Sequence, residues 1–189
     1  MSTTASPQVM TTEEMLALPE DGMDRELIRG QLREKPMTRR NRRHSRVEAR
    51  IAYALEHWLD TRPEPRGQVV SGEAGFRLRR DPDSTVGIDV AYVSAEVAAL
   101  QPEAMFFEGP PVLAVEILSP SDKQEEIDEK VALYLETEVA VVWVVNPRFK
   151  TICVYRPGVD PEMFSERQEL AAEPHLPGFR IAVARLFAN

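Results

Sequence analysis

The sequence predicts an α/β domain in which a mixed central sheet is flanked by helices, with a short helix and a hairpin ahead of it. Three observations predict it. An amphipathic helix is followed by three strand-like stretches, a second helix and two further strands. The second helix joins two apolar strands, Val112 to Leu118 and Val139 to Val145, as a crossover connection does. The second of these runs is aliphatic except for Trp143, the pattern of a central strand covered on both faces.

The elements follow in order. Residues 1–10 are polar, lack a basic-then-apolar leader pattern and read as a disordered N-terminus; residues 11–189 read as one domain. Thr11-Thr12-Glu13-Glu14 is a capping-box pattern that starts a short helix through Leu18. Arg25 to Glu34 forms a hairpin around Arg29-Gly30. A long helix runs from Arg43 to Leu59, its inward stripe being Val47, Ile51, Ala54, Leu55 and Trp58, and Pro63 and Pro65 stop it. Strands follow at Gly67 to Arg79 and Val86 to Val93, separated by the turn signal Arg80-Asp81-Pro82-Asp83-Ser84. Residues 95–110 read as a loop with one helical turn. After the strand Val112 to Leu118, Ser121 is placed to cap a helix that ends near Glu136, with Gln124 at the reciprocal position. Val139 to Val145 and Thr151 to Tyr155 are the last two core strands, and the tail adds a short extended piece and a closing Leu186-Phe187.

The 189 residues are 43% apolar and 29% charged, enough for one real core. No apolar run approaches a membrane-spanning length, so no membrane contact and a cytoplasmic location are the expectations. The single cysteine, Cys153, excludes an intrachain disulfide and a cysteine-built zinc site. A net charge of -8 argues against a general high-affinity binder of nucleic acid. Yet Lys35, Arg39, Arg40, Arg42, Arg43 and Arg46 crowd together around His44. Such a patch is either a solvated loop leading into a helix or a local hold for a phosphate backbone.

Three charged groups interrupt stretches that should be core. Glu116 lies inside Val112 to Leu118, Asp89 inside Val86 to Val93, and Lys130 on a helical stripe with Ile127, Val131 and Tyr134. Burying an ionised group costs several kcal/mol, on the order of the stability of a domain, unless it is paired or binds metal. Strand alternation puts Glu116 on a face with Ala114 and Leu118, and Asp89 on a face with the small residues Gly87 and Ala91. If the two strands are neighbours, the carboxylates meet at one end of the sheet. Two hard oxygen ligands suit Mg²⁺ or Mn²⁺, and a lysine beside them suits stabilisation of negative charge at phosphorus.

This Asp, Glu, Lys arrangement resembles the PD-(D/E)xK nuclease superfamily and, within it, the Uma family of restriction-endonuclease-like proteins. The resemblance rests on Glu26 to Leu32, His44 at the head of the first long helix, Ile88-Asp89-Val90-Ala91, Val115 to Ser121, Lys130 with Tyr134, and Trp143 with Asn146-Pro147. It implies a restriction-endonuclease-like αβββαβ core, a divalent metal at Asp89 and Glu116, and an endonuclease that hydrolyses DNA phosphodiester bonds with Lys130 assisting. Relatives of this kind often pair their subunits to cut both strands, so a homodimer is expected; Trp58 or Phe106-Phe107 either supply its contact or close the core. Leu118 stands where the superfamily has its lysine, a place Lys130 takes from the next helix. Glu126 stands one turn before Lys130 and is positioned for an i, i+4 pair with it.

Two further residues carry alternatives. Glu26 is either an additional acid of the site or half of a hairpin salt bridge. His44 either contacts phosphate and shuttles a proton or is a buried, hydrogen-bonded histidine. Glu48 is placed to orient His44 or to replace Glu26, and Glu73 is a weaker candidate for the same acid. The competing functional class is a catalytically inactive nuclease-fold protein that binds or assembles, with Lys130 and Glu116 closing the site as a salt bridge.

Overall fold

The computed structural model describes residues 9–37, 41–100 and 103–188. The short helix α1 (Thr12–Leu16) carries the expected capping box, Thr11 and Glu14 each satisfying the other's backbone N–H. The hairpin of β1 (Met23–Ile28) and β2 (Gln31–Pro36) turns on two residues, Arg29 at φ 51° and Gly30 at φ 74°. Positive φ at both central positions is the turn geometry whose twist matches a hairpin. The contacted chain begins slightly before residue 11, since the Met10 N–H donates to the Gly30 carbonyl.

Helix α2 (Arg42–Leu59) is capped by Asn41, whose side chain accepts from the N–H groups of Arg43 and His44. It is followed by β3 (Gln68–Arg79), β4 (Ser84–Val93), the short helix α3 (Ala95–Leu100), β5 (Phe107–Glu108) and β6 (Leu113–Ile117). Helix α4 (Gln124–Glu136) then leads to β7 (Val141–Asn146), β8 (Thr151–Arg156) and β9 (Val159–Ser165). A separate two-stranded ribbon, β10 (Glu169–Ala171) with β11 (Arg180–Ala182), and helix α5 (Val183–Phe187) complete the described chain.

The main sheet is mixed, in the order β2-β1-β4-β6-β7-β8-β9, with β3 on the other edge of β4 and β5 on β3. β6 and β7 are parallel across the α4 crossover, as the apolar patterns predict. Two cores sandwich the sheet. On one face α2 packs Val47, Ile51, Leu55 and Trp58 against Val115, Ile117, Trp143 and Val145. On the other, α4 packs Ile127, Val131 and Tyr134 against Ala91, Ala114, Val142 and Val144. Each buried aliphatic side chain contributes roughly 1.5–3 kcal/mol, so these two stripes fix both helices on the sheet.

The pairing along β4 positions the site. β3 runs along nearly the whole of one β4 edge, so β1 and β6 share the other. β1 pairs with β4 at Leu27 and Thr85, whereas β6 pairs with it from Val90 to Tyr92. Between Thr85 and Val90 the sheet forks. Polar contacts hold the open side in place: Thr12 donates its N–H and hydroxyl to Asp83 at 2.8 and 2.6 Å, and Gly30 N–H donates to the Asp83 carbonyl at 2.6 Å.

Several expectations are corrected. Ser121 does not cap α4; Lys123 holds the N-cap position without a side-chain bond, and Ser119, Ser121 and Asp122 instead close a small turn of their own. β5, β9 and β10 lie where the sequence predicts loop or an undivided tail, while β11 is a short extended piece of the kind expected there. β9 is almost wholly exposed, so it lacks the apolar alternation that would reveal a strand. Of the two readings of the aromatics, Trp58 and Phe107 follow core closure: Trp58 meets Tyr92 and Phe179 edge-on, and Phe107 stacks on Phe76.

The junction between α2 and β3 is tight. A Cβ built on Gly67 would stand 2.0 Å from the Val93 carbonyl oxygen, a backbone atom at the end of β4. Gly67→Ala is therefore expected to destabilise by about 2 kcal/mol through overpacking, seen as a Tm lowered by roughly 4–8 °C in thermal unfolding.

Candidate active site

Glu26, Asp89, Glu116 and Lys130 converge at the fork. Asp89 immediately precedes the β4–β6 ladder, and its Oδ2 accepts the Ile117 N–H at 2.7 Å. Glu26 projects from β1, and its Oε1 accepts the Gly87 N–H at 3.0 Å. Lys130 reaches in from α4 and donates to the Gly87 carbonyl at 2.9 Å and to Glu26 at 3.1 Å, with Glu116 at 2.9 Å. The backbone of Gly87, which the fork leaves without a strand partner on that edge, is thus satisfied by two charged side chains. The hydroxyl of Tyr134, one turn after Lys130, donates to Glu116 Oε1 at 2.5 Å.

Each side chain is there for a local reason. Lys130 and Tyr134 lie i, i+4 on the apolar stripe of α4 that also buries Ile127 and Val131. Glu116 is at the C-terminal end of β6, where the chain leaves the sheet. A bulge in β3 between Ser71 and Ala74, with Gly72 and Glu73 both at positive φ, turns Glu73 toward Gly87 and the same cavity. Bulges are a common device for re-aiming one side chain beside a site. The cavity measures about 230 Å³ and is lined by Glu26, Glu73, Asp89, Glu116 and Lys130.

His44 is 1% exposed and stands between two carboxylates, with Nε2 3.2 Å from Asp89 and Nδ1 3.6 Å from Glu48. Glu48 does not join the carboxylate cluster; its Oε1 instead accepts the Gly72 N–H at 2.8 Å and so braces the β3 bulge. Glu26 forms no salt bridge with the hairpin arginines. Arg25 binds Asp21 and Glu34, and Arg33 binds Glu129. Glu126 pairs with Lys123 and not with Lys130. Tyr134, which the apolar stripe predicts as a packing residue and the resemblance pairs with Lys130, is also a polar contributor through its hydroxyl. The basic run divides. Lys35 pairs with Asp24, Arg42, Arg43 and Arg46 begin α2, and Arg39 and Arg40 lie outside the described residues.

The electrostatics follow from crowding acids out of water. Burial pushes the Glu116 carboxyl from 4.5 up to about 7; Asp89 and Glu26 add to that push, against the pull of Lys130 and of the Tyr134 hydrogen bond. Burial by itself lowers the Lys130 ammonium, but the Glu116 and Glu26 carboxylates outweigh it and hold Lys130 well above the ordinary lysine value. Burial and the Glu116 charge raise the Tyr134 phenol as well, so it stays protonated and donates. A cluster of carboxylates around one ammonium carries excess negative charge that a divalent cation would relieve. Among the described residues no three His, Cys, Asp or Glu side chains form a complete cage. A Mg²⁺-type site needs only one or two protein carboxylates, with water and substrate oxygens completing the shell, and Asp89 and Glu116 would be the donors of such a site here.

A family described as "Putative restriction endonuclease", Uma2, matches residues 12–184. The chain belongs to the Uma2 family. The crystal structure of "a putative nuclease belonging to DUF820" from Anabaena variabilis ATCC 29413 is similar over 94% of this chain and 97% of that chain. Its TM-score is 0.79 at 21% identity, a likeness of fold. No curated protein matches. The αβββαβ core expected of a Uma2 member is formed here by α2, β3, β4, β6, α4 and β7.

The raised Glu116 carboxyl has a consequence for stability. The folded state keeps a proton that the unfolded chain releases near pH 4.5, so this group's contribution falls as pH rises from about 4.5 to about 7 and is level above. Glu116→Gln removes that dependence. In chelating buffer, the Tm of the variant relative to wild type should rise between pH 5 and pH 8, by an amount corresponding to at most about 3 kcal/mol.

Proposed function

We propose that the protein is a divalent-metal-dependent endonuclease that hydrolyses DNA phosphodiester bonds. The observation that carries this reading is the convergence of Glu26, Asp89, Glu116 and Lys130 at the fork of the sheet. Membership of the Uma2 family and the fold shared with a protein described as a nuclease support it.

Asp89 and Glu116 would hold Mg²⁺ or Mn²⁺. When bound, the cation supplies Lewis acidity toward a water and the phosphodiester oxygens. The protein's own contributions can be derived from its contacts. The Ile117 N–H and His44 fix the direction of Asp89, and Tyr134 fixes Glu116. Lys130 is held protonated beside Glu26 and Glu116, where its charge stabilises negative charge developing on a phosphate oxygen. Its preorganised bonds to Glu26 and Gly87 restrict the ammonium to that place. His44, buried against Asp89, acts as a positioning residue. A homodimer would bring two such sites to the two strands of a duplex. No helix among the described residues is long and apolar enough to cross a membrane.

One observation favours the competing class. Lys130 lies 2.9 Å from Glu116, the ion pair expected of an inactive fold that keeps its cluster as a structural plug. Metal binding separates the two readings. In titration calorimetry, Mn²⁺ should bind the wild type and fail to bind Asp89→Ala. Lys130→Ala should still bind Mn²⁺, yet lose about 10²–10³-fold in DNA cleavage, as removal of a preorganised charge stabiliser does. Undiminished cleavage in Asp89→Ala, Glu116→Gln and Lys130→Ala together would overturn the enzyme reading. A wild type that neither binds Mn²⁺ nor cleaves would establish the inactive one.

A further inference from the structure

The arginines of this protein are divided into two populations. Across the hairpin and the strands they are neutralised: Arg25, Arg29, Arg33 and Arg77 all hold carboxylates. Along the outer face of α2 they are not. Among the described residues no carboxylate is ion-paired with Arg42, Arg43, Arg46 or Arg50, nor with Arg148 or Arg185 across from them. These six line two cavities that share Leu186. One, of about 440 Å³, lies between the start of α2 and the turn after β7; the other, of about 640 Å³, continues along α2 against the C-terminal segment. The chain carries 31 acidic residues, yet no Asp or Glu among the described residues lines either cavity.

The arrangement is electrostatically unfavourable on its own. Arg42 and Arg46 are i, i+4, as are Arg46 and Arg50, so like charges face each other along the helix. Arg42 and Arg43 sit in the first turn, beside the positive end of the helix dipole, and no acid offsets them there. A bound polyanion would relieve both repulsions. The trough also contains an aromatic surface. Arg43, Arg46, Arg50, Tyr53 and His57 follow at alternating steps of three and four, on one helix face. Tyr53 is 68% exposed, and its ring stacks on His57 at 6.1 Å and 9°. Cations without carboxylate partners beside a solvent-facing aromatic are the elements of a single-strand site, phosphates on the former and a base on the latter.

The trough starts where the carboxylates are. His44 turns inward from the same first turns of α2 to meet Asp89. The turn bearing Arg148 follows β7, whose Val144 and Val145 pair with Glu116 and Ile117. We infer that the trough along α2 binds a single strand of nucleic acid, its phosphates on the α2 arginines and an unpaired base on Tyr53, leading to the Asp89–Glu116 end of the sheet. This rests on the phosphodiesterase reading above and adds the strand's state and path.

Binding measured without catalysis tests it apart from that reading. Fluorescence anisotropy of the full chain in EDTA, with a labelled mixed-sequence DNA single strand and the matching duplex, should show the single strand bound more tightly. The Arg43→Ala Arg46→Ala double variant should bind about tenfold or more weakly. Its salt dependence should flatten by about 1.4, at roughly 0.7 for each phosphate no longer neutralised. Tyr53→Ala should lose about tenfold for the single strand alone, and Tyr53→Phe should retain it, since stacking needs the ring and not the hydroxyl. Circular dichroism should show all three variants folded. Absence of wild-type binding, or unchanged affinity in the arginine variant, would overturn the trough, whatever Mn²⁺-dependent cleavage then shows. Equal arginine-dependent binding to anionic phospholipid vesicles would make it a general anionic surface. Indifference of Tyr53→Ala would remove the single-strand assignment.

Discussion

The fork on the free edge of β4 is the constraint from which the site follows. Two strands compete for one edge, β1 near Thr85 and β6 from Val90 onward, and between them the Gly87 peptide groups face an opening. A buried backbone group without a partner costs about as much as a missing hydrogen bond, so something must fill the gap. A water or a neutral side chain could serve. Here a carboxylate takes the Gly87 N–H and an ammonium takes the Gly87 carbonyl. That choice draws Glu26 and Lys130 into one place, and Glu116 completes their charge. The site is therefore part of the way the sheet ends, and the α4 stripe, the hairpin and the β3 bulge are all held by reference to it.

The same constraint explains which parts of the site were legible in the sequence. Asp89, Glu116 and Lys130 each break an apolar pattern, and a broken pattern is visible without coordinates because burial makes the exception costly. Glu26 breaks no pattern; it lies on a half-buried hairpin strand surrounded by arginines, and only the docking of that hairpin on β4 decides that it faces Gly87 rather than Arg33. His44 was legible as an inward residue of α2, but its contact with Asp89 depends on how α2 packs across β4. Tyr134 was legible as a core residue, whereas the direction of its hydroxyl is set by tertiary packing. In the fold, long periodic elements such as α2 and β7 were readable. β5, two residues long, and β9, exposed along nearly its whole length, carry no periodic signal.

The distribution of charge ties the halves of the molecule together. A net charge of -8 describes neither face. The acids crowd the cavity on the α4 side of the fork, where burial raises Glu116 and makes added positive charge favourable. The arginines without carboxylate partners crowd the outside of α2, where like-charge repulsion makes added negative charge favourable. These are opposite demands, and the proposed metal-bound phosphodiester strand would meet both, with its cation at the carboxylates and its backbone along the helix. His44 lies where the two regions adjoin, on the first turns of the arginine-bearing helix and against the carboxylate of Asp89. Displacement of α2 would move the arginines and the orientation of Asp89 together. A strand seated on the trough would thus act on the same element, α2, whose His44 contacts Asp89, and backbone binding and site geometry would be coupled through one helix rather than through a relay of side chains.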